Sequence, residues 1–190
     1  MRTSDEISAT GAERADPAFT AHYRRMGWWP EQTYLDEFRA AVRRAPDRAA
    51  IVGHWAGPAR TDRLTYRQLA ALVDRFAGGL LELGVRRAGI VSAQLPNRWE
   101  FAALTLACAR IGAVICPIMP ILREREVRYI LERTRSAVCV IPCRFRGFSH
   151  AGMLASLRPS LPDLEHVLVL DADDEFPVGL RSFEEHFVRQ

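Results

Sequence analysis

The chain contains no lysine, and all 26 of its basic residues are arginine. It also has a single asparagine, Asn97. Without lysine the chain can supply no Schiff-base catalyst and no lysine general base. A phosphate-binding loop of the G-x-x-x-x-G-K-[ST] type is excluded for the same reason, and so is a protein kinase, which needs a strand lysine. The composition therefore excludes several common mechanisms by which proteins bind nucleotides or react with them.

Long apolar runs and targeting segments are also lacking. The longest apolar stretch, Phe101 to Leu122, is interrupted by Arg110, Pro117 and Pro120, which makes it too broken to span a membrane. The first twenty residues contain several acids and no apolar core, so they do not read as a secretory signal. We therefore expect a cytoplasmic protein whose four cysteines are reduced.

Charge offers no sign of a nucleic-acid partner. The net charge is only +3, from 26 arginines and 23 acidic residues, and the two signs are interspersed along the chain. No nucleic-acid partner is therefore expected.

What the sequence does contain is a repeated alternation of strand and helix patterns. Residues 1–20 are polar and predict a disordered tail, whereas residues 21–190 read as one incomplete domain. Strands are predicted at 49–55, 60–64, 89–95, 113–116, 137–141 and 166–170. Helices are predicted from Thr33 to Pro46, from Thr65 to Gly84, and at 98–111, 124–135, 152–157 and 182–188.

The helix from Thr65 carries the clearest boundary signals. Thr65 and Gln68 have the spacing of a capping box, and Gly84 stands where a left-handed C-terminal residue is favoured. Thr33 and Asp36 predict a similar but weaker box at the start of the first helix. Because strands and helices then alternate at least three times, we expect a partial, doubly wound parallel α/β sheet with flanking helices.

Asn97 is the first candidate for a functional residue. It follows a predicted strand, and ligands of doubly wound sheets bind beyond the carboxyl ends of strands. Its amide could contact a ligand there. The favoured interpretation is that Asn97 caps the helix that begins near Arg98, because Asn is a leading residue at helix N-termini.

Two other polar clusters are candidate metal sites. A zinc site is disfavoured, because residues 139 and 143 of one strand would be about 13 Å apart at ~3.3 Å per residue. A cation site in the acidic loop lacks the glycine spacing of a calcium loop, so a solvated turn is the favoured interpretation. The candidate zinc ligands are Cys139, Cys143, His150 and His166, and the acidic residues are Asp171, Asp173, Asp174 and Glu175.

Two further features have ordinary explanations. The segment from Arg123 to Arg135 contains five arginines and three glutamates, which indicates a salt-bridged solvent face. Trp28 and Trp29 could bind a partner, but such a pair more often anchors an N-terminal segment onto its own domain. No glycine-rich phosphate loop and no nucleophile–base motif can be found.

Several motifs together resemble one known superfamily. The run Leu64-Thr65-Tyr66-Arg67-Gln68-Leu69 resembles the first core motif of the adenylate-forming, or AMP-binding, superfamily. The same order and spacing continue through Gln94-Leu95-Pro96-Asn97 and through the run Ala109–Pro117, which resembles the second core motif. The segment Gly27-Trp28-Trp29 is similar to ligases of the cyclohexanecarboxylate and medium-chain type. One departure is Ala88-Gly89, where the family usually has Gly-Asp.

The resemblance implies an acyl-CoA ligase. In such enzymes ATP and a carboxylic acid form an acyl-adenylate and pyrophosphate, and coenzyme A then displaces AMP. It implies ATP, Mg²⁺ and coenzyme A for the complete enzyme and none for this chain alone, because the phosphate loop, the adenine motif and the catalytic lysine lie beyond the matched motifs. The matched motifs are structural in the family, so no catalytic, cofactor-binding or metal-binding residue is assigned.

Two interpretations of the function are kept. The first is the N-terminal fragment of an acyl-CoA ligase that is not competent alone. The second is a non-catalytic module that pairs with a separately encoded ligase half, or an inactive remnant. Missing parts of the domain should leave apolar surface that such a half, or a second copy, would cover.

Overall fold

The computed structural model describes residues 16–54, 60–172 and 176–188. These residues belong to two compact units that divide between Ala41 and Val42. Three expectations lie partly outside the described residues: the disordered tail over residues 1–15, the end of the first strand at Trp55, and the acids Asp173, Asp174 and Glu175.

The first unit contains the helix α1 (Pro17–Arg25) and the start of α2 (Tyr34–Arg44). The expectation of disorder up to residue 20 is wrong for its last four positions. The Asp16 carboxylate accepts a hydrogen bond from Ala18 N at 2.9 Å and Pro17 opens the helix, so the first turn has its own cap.

The second helix begins as its sequence predicted. Thr33 Oγ1 accepts from Asp36 N at 3.3 Å, and the Asp36 carboxylate accepts from Thr33 N at 3.0 Å. These reciprocal bonds are the expected capping box. The Thr33 bonds also hold the pKa of Asp36 below its ordinary value.

The second unit contains the sheet and the remaining helices. Its strands are β1 (Ala49–His54), β2 (Thr61–Thr65), β3 (Ile90–Ala93), β4 (Val114–Pro117), β5 (Val138–Pro142), β6 (Arg144–Phe145), β7 (Phe148–Ser149), β8 (His166–Leu170) and β9 (Arg181–Ser182). Its helices are α3 (Tyr66–Glu82), α4 (Trp99–Ile111), α5 (Glu124–Thr134), α6 (His150–Leu157) and α7 (Phe183–Phe187).

Five strands form one parallel sheet in the order β4-β3-β5-β8-β9. Every residue of β5 is buried, as is all of β8 after His166, which is the pattern of strands covered on both faces. The expected doubly wound α/β sheet is thereby confirmed. Strands β1 and β2 form a separate antiparallel hairpin. None of the helices in the described part of the chain is long and apolar enough to cross a membrane.

The predicted helix boundaries follow local hydrogen bonding. Gln68 N donates to Thr65 Oγ1 at 3.2 Å and Thr65 N donates to Gln68 Oε1 at 2.8 Å, so the capping box of α3 is confirmed. Gly84 and Gly112 follow α3 and α4 with φ of 82° and 71°. Those angles lie in the left-handed region that glycine adopts without steric cost, which explains both stops.

The adjacent glycines Gly78 and Gly79 have different surroundings in α3. Gly79 faces the fully buried ring of Phe187 in α7, and a Cβ built on Gly79 would lie 2.6 Å from Phe187 Cε1. A Cβ on Gly78 would have no atom within 4 Å. The close approach of α7 to α3 therefore requires the second glycine and not the first.

We expect Gly79→Ala to destabilise the protein by about 1–3 kcal/mol, because the core must shift to admit the methyl group. The matched control Gly78→Ala should instead stabilise it by about 0.5–1 kcal/mol through helix propensity. Chemical denaturation of the two variants provides the measurement. Equal effects would show that α7 does not pack on Gly79.

Candidate functional site

The strand order places a reversal point between β3 and β5. The chain passes from β3 to β4 on one side and then returns to β5 on the other side of β3. In parallel α/β sheets a crevice opens beyond the carboxyl ends of the strands at such a reversal, and ligands bind there. The topology therefore points to one particular edge of this sheet.

A cleft of about 250 Å³ lies at that edge. It is bounded by the residues after β3, by the end of β5 and the short strand β6, by the residue after β8, and by the β1–β2 hairpin. Its lining residues are Gly53, His54, Asp62, Pro96, Asn97, Arg98, Trp99, Pro142, Arg144, Phe145 and Asp171. The set combines charged and polar side chains with the rings of Trp99 and Phe145, so it offers both polar and apolar groups to a ligand.

Arg98 forms the wall of the cleft through a three-residue ion-pair network. Its side chain is only 8% exposed, and its guanidinium contacts the buried carboxylate of Glu100 at 2.7 Å. The same guanidinium binds Asp171, with Nη2 and Oδ1 3.1 Å apart. Asp171 N in turn donates to Glu184 at 2.9 Å. The network thus joins the start of α4 to the end of β8 and to α7.

The favoured interpretation of Asn97 as a helix cap is wrong. Helix α4 begins at Trp99, and its N-cap is Arg98, whose side chain makes no capping hydrogen bond. The Arg98 guanidinium instead binds Glu100 and Asp171. Asn97 is exposed and lines the cleft, so the alternative that its amide contacts a ligand stays a prediction.

The candidate zinc residues occupy different surroundings. Burial raises the pKa of Cys139 to about 12, which makes it a neutral core thiol near pH 7. His150 is buried against Gln94, whereas His166 lies on β8 with Glu165 beside it. Among the residues that the structure describes, no three His, Cys, Asp or Glu side chains are grouped to hold a metal ion.

The other predicted features behave as ordinary surface and core. Asp171 lies in a turn with its side chain 58% exposed, as predicted, and it also pairs with Arg98. On α5, Arg128 pairs with Glu132 at 3.6 Å on a solvent-exposed face, as predicted. Trp28 and Trp29 both contact the Tyr23 ring within the first unit, with centroids 5.4 and 5.7 Å apart. Their anchoring to the rest of the chain stays a prediction.

The buried side chain of Gln94, which follows β3, contacts the loop after β4 and the start of α6. Its amide nitrogen donates to Met119 O at 3.1 Å and to Leu122 O at 3.0 Å, so both loop carbonyls are held. Its oxygen lies 3.1 Å from His150 Nδ1. Because both amide hydrogens are used, the oxygen must accept, and His150 Nδ1 must donate. His150 Nε2 therefore carries a buried lone pair, and that atom has no hydrogen-bond partner among the described residues.

Comparison with known proteins identifies the scaffold. The family model described as "AMP-binding enzyme" matches residues 38–187. The chain belongs to the AMP-binding enzyme family. The parallel sheet and helices α3 to α7 lie within the matched residues and therefore form part of the scaffold of that family.

Three relatives illustrate the breadth of the AMP-binding family around this chain. The chain is 32% identical, over 80% of its length, to 2-hydroxy-7-methoxy-5-methyl-1-naphthoate–CoA ligase of Streptomyces carzinostaticus. It is 28% identical, over 80% of its length, to medium-chain fatty-acid–CoA ligase of Escherichia coli. The apo structure of MbtA from Mycobacterium smegmatis is 32% identical and covers 92% of this chain with a TM-score of 0.74.

These matches involve only part of each relative. The chain covers 26% of each of the two ligases and 30% of the MbtA chain. It therefore corresponds to an N-terminal portion of the AMP-binding fold.

Sequence inspection missed the roles of Gln94, Arg98 and His150. Gln94 was visible as part of a family motif, but its partners lie 25, 28 and 56 positions away. Arg98 and Asp171 are 73 positions apart. No local pattern marks either set of contacts.

We expect Arg98→Gln to destabilise the protein by about 3 kcal/mol, because it leaves Glu100 as a buried charge without its cation. Arg67→Gln is the matched control, since Arg67 pairs with Asp47 in full contact with solvent and water screens that pair. Urea denaturation of both variants tests this. A loss no larger than that of the control would contradict a structural role for the network.

Acid should weaken the fold through His150. Burial, reinforced by the charge of Arg123, lowers the pKa of His150 to about 4. In the unfolded chain His150 becomes protonated near pH 6.5, whereas in the folded chain it stays neutral down to about pH 4. The free energy of unfolding therefore keeps its full value above pH 6.5 and falls by up to about 3 kcal/mol as the pH drops toward 4. Partial burial lowers the pKa of His166 as well, so His166 also makes the free energy of unfolding decrease as the pH falls.

Unfolding free energies between pH 7 and 4 measure this loss. His150→Gln should flatten the pH dependence relative to the unaltered chain, whereas His54→Gln, which alters an exposed imidazole, should not. An unchanged slope in His150→Gln would show that His150 is not buried in its neutral form.

Proposed function

We propose that the chain is the N-terminal portion of an ATP-dependent acyl- or aryl-CoA ligase. The observation that carries this proposal is the match of the AMP-binding family over residues 38–187, together with the similarity to MbtA over nearly the whole chain. In the complete enzyme the overall reaction joins a carboxylic acid to coenzyme A and converts ATP to AMP and pyrophosphate.

The substrate of the complete enzyme is proposed to be an aryl or medium-chain carboxylic acid. One relative is named for a substituted naphthoate and another for medium-chain fatty acids, and this chain is comparably similar to both. The Gly27-Trp28-Trp29 segment also resembles ligases of cyclic and medium-chain acids.

We further propose that the chain by itself does not form the adenylate. In adenylation a carboxylate oxygen attacks the α-phosphorus of ATP, the bond from that phosphorus to the β-phosphate oxygen breaks and pyrophosphate leaves. Cationic groups must stabilise the charge that develops on the phosphates. The family places lysines at this chemistry, and the chain has none. Mg²⁺ would supply further neutralisation in the complete enzyme, where residues beyond this portion would hold it.

The purified chain should show no carboxylate-dependent exchange of pyrophosphate into ATP. The assay is run with aryl and medium-chain acids, and the naphthoate–CoA ligase of Streptomyces carzinostaticus and the medium-chain fatty-acid–CoA ligase of Escherichia coli serve as positive controls for the assay conditions. Exchange above background by the chain alone would contradict the proposed incompetence.

A second candidate function is that of a non-catalytic module that pairs with a separately supplied ligase half. The observation that favours it is the apolar surface left uncovered beside β4, where Val114 is 49% and Met119 is 59% exposed. Pairing would make this chain a structural partner in catalysis, with the chemistry supplied by the other half.

A further inference from the structure

The cleft at the carboxyl edge of the sheet contains a guanidinium whose charge its own neighbours leave uncompensated. Arg144 lies on β6, is exposed and lines the cleft. Within the part of the chain that the structure describes, its side chain makes no hydrogen bond and no ion pair. A guanidinium stays charged at neutral pH and presents its donors in a planar fork, which matches a carboxylate through two parallel hydrogen bonds. Arg144 is therefore available to an anionic ligand.

The other carboxylates and guanidiniums of the cleft are already paired. Asp62 pairs with Arg60 at 2.9 Å, so these two charges cancel. Arg98 binds two carboxylates, so its network carries one net negative charge. Together with Arg144 the set is close to neutral, and a ligand with several negative charges would meet more carboxylate repulsion than guanidinium attraction. The charges thus favour a ligand with a single negative charge over a polyphosphate.

The hairpin of β6 and β7 fixes the backbone that carries Arg144. Arg144 and Phe145 both pair with residues of β7. The turn between the strands consists of Arg146 and Gly147, with φ of 50° and 79°. A two-residue turn with both residues in the left-handed region matches the twist of a hairpin. A site on a backbone that is ordered in advance loses little conformational entropy when a ligand binds.

The apolar surfaces of the cleft suit a planar ring. Trp99 and Phe145 contribute aromatic side chains, and Pro96 and the buried Pro142 add further apolar surface. The core holds the Trp99 ring in place, since its centroid lies 6.4 Å from that of the fully buried Phe76. Aromatic side chains pack favourably against other rings in offset or edge-to-face arrangements. The cleft therefore offers apolar contacts for the ring of a ligand beside a cation for its charge.

Size and one further polar group narrow the ligand class. The cleft volume of about 250 Å³ lies below the range of about 300–1,000 Å³ that drug-sized ligands occupy, so a single ring with a small substituent fits better than a nucleotide. Asn97 is exposed at the cleft, and its side-chain amide makes no hydrogen bond to the residues that the structure describes. Its NH₂ group can donate to an anion in the cleft.

We propose that this cleft is a binding site for a small aromatic monocarboxylate. The Arg144 guanidinium binds the carboxylate, Asn97 donates a hydrogen bond to it, and the ring packs against Trp99 and Phe145. The ligand is bound and not transformed, so the inference does not rest on the proposed function and holds whether or not the complete protein is a ligase.

The test titrates benzoate into the full 190-residue chain and measures binding by calorimetry. Arg144→Gln removes the proposed cation. Arg146→Gln is the matched control, because it removes an equal charge from the turn of the same hairpin and Arg146 does not line the cleft. Both side chains are exposed, and thermal unfolding verifies that both variants keep the fold. Benzamide, a neutral molecule of the same shape, measures the contribution of the ring without the charge.

We expect the unaltered chain and Arg146→Gln to bind benzoate equally, and Arg144→Gln to bind it at least about tenfold more weakly, through loss of hydrogen bonds to a charged group. Benzamide should bind all three chains alike. The indole N–H signal of Trp99 in the NMR spectrum, assigned through its absence in Trp99→Phe, should shift when benzoate is added.

Absence of benzoate binding by the unaltered chain overturns the inference. An equal loss in the two arginine variants also overturns it, because it would show only a general attraction of anions to a basic surface. Acetate that binds as tightly as benzoate would refute the ring contacts, and pyrophosphate that binds more tightly would refute the preference for a single charge. Benzoate binding that leaves the Trp99 signal unshifted would place the ligand outside the cleft.

Discussion

The hydrogen bonding of Gln94 is the constraint on which the carboxyl edge of the sheet depends. Its two amide hydrogens and its oxygen are used by carbonyls of one loop and by His150 at the start of α6. A buried polar group that loses a partner costs free energy, so none of these segments can shift alone. Gln94 therefore ties the loop after β4 to the imidazole of His150, whose neutral form follows from its burial.

The ion pairs of Arg98 hold the other side of the carboxyl edge of the sheet. Arg98 is buried between Glu100 and Asp171, and together they close the wall of the cleft at the reversal point of the sheet. The position of the cleft follows from topology, because the loops after β3 and β5 diverge there. Its lining brings charged and polar side chains together at the place where ligands of such sheets bind.

Family membership and chemical competence are separable in this chain. The AMP-binding match covers most of its length, while the lysines that the family uses for phosphate chemistry are absent. A scaffold is defined by how residues pack, and a catalytic site by a few groups placed on it, so the first can be present without the second.

Local signals in the sequence were sufficient to predict the fold class and most of the helices and strands. The capping boxes of Thr33 and Thr65, the stops at Gly84 and Gly112, and the apolar runs of β5 and β8 depend on neighbouring residues and were predicted correctly. The cap at Asn97 was predicted wrongly because Arg98 makes distant ion pairs. The sequence by itself therefore determined most of the elements, their alternation and the family. It did not reveal helix α1 or the two-residue strands β6, β7 and β9. Only the tertiary structure decided the partners of Gln94, Arg98 and His150, because those contacts join positions that are remote along the chain.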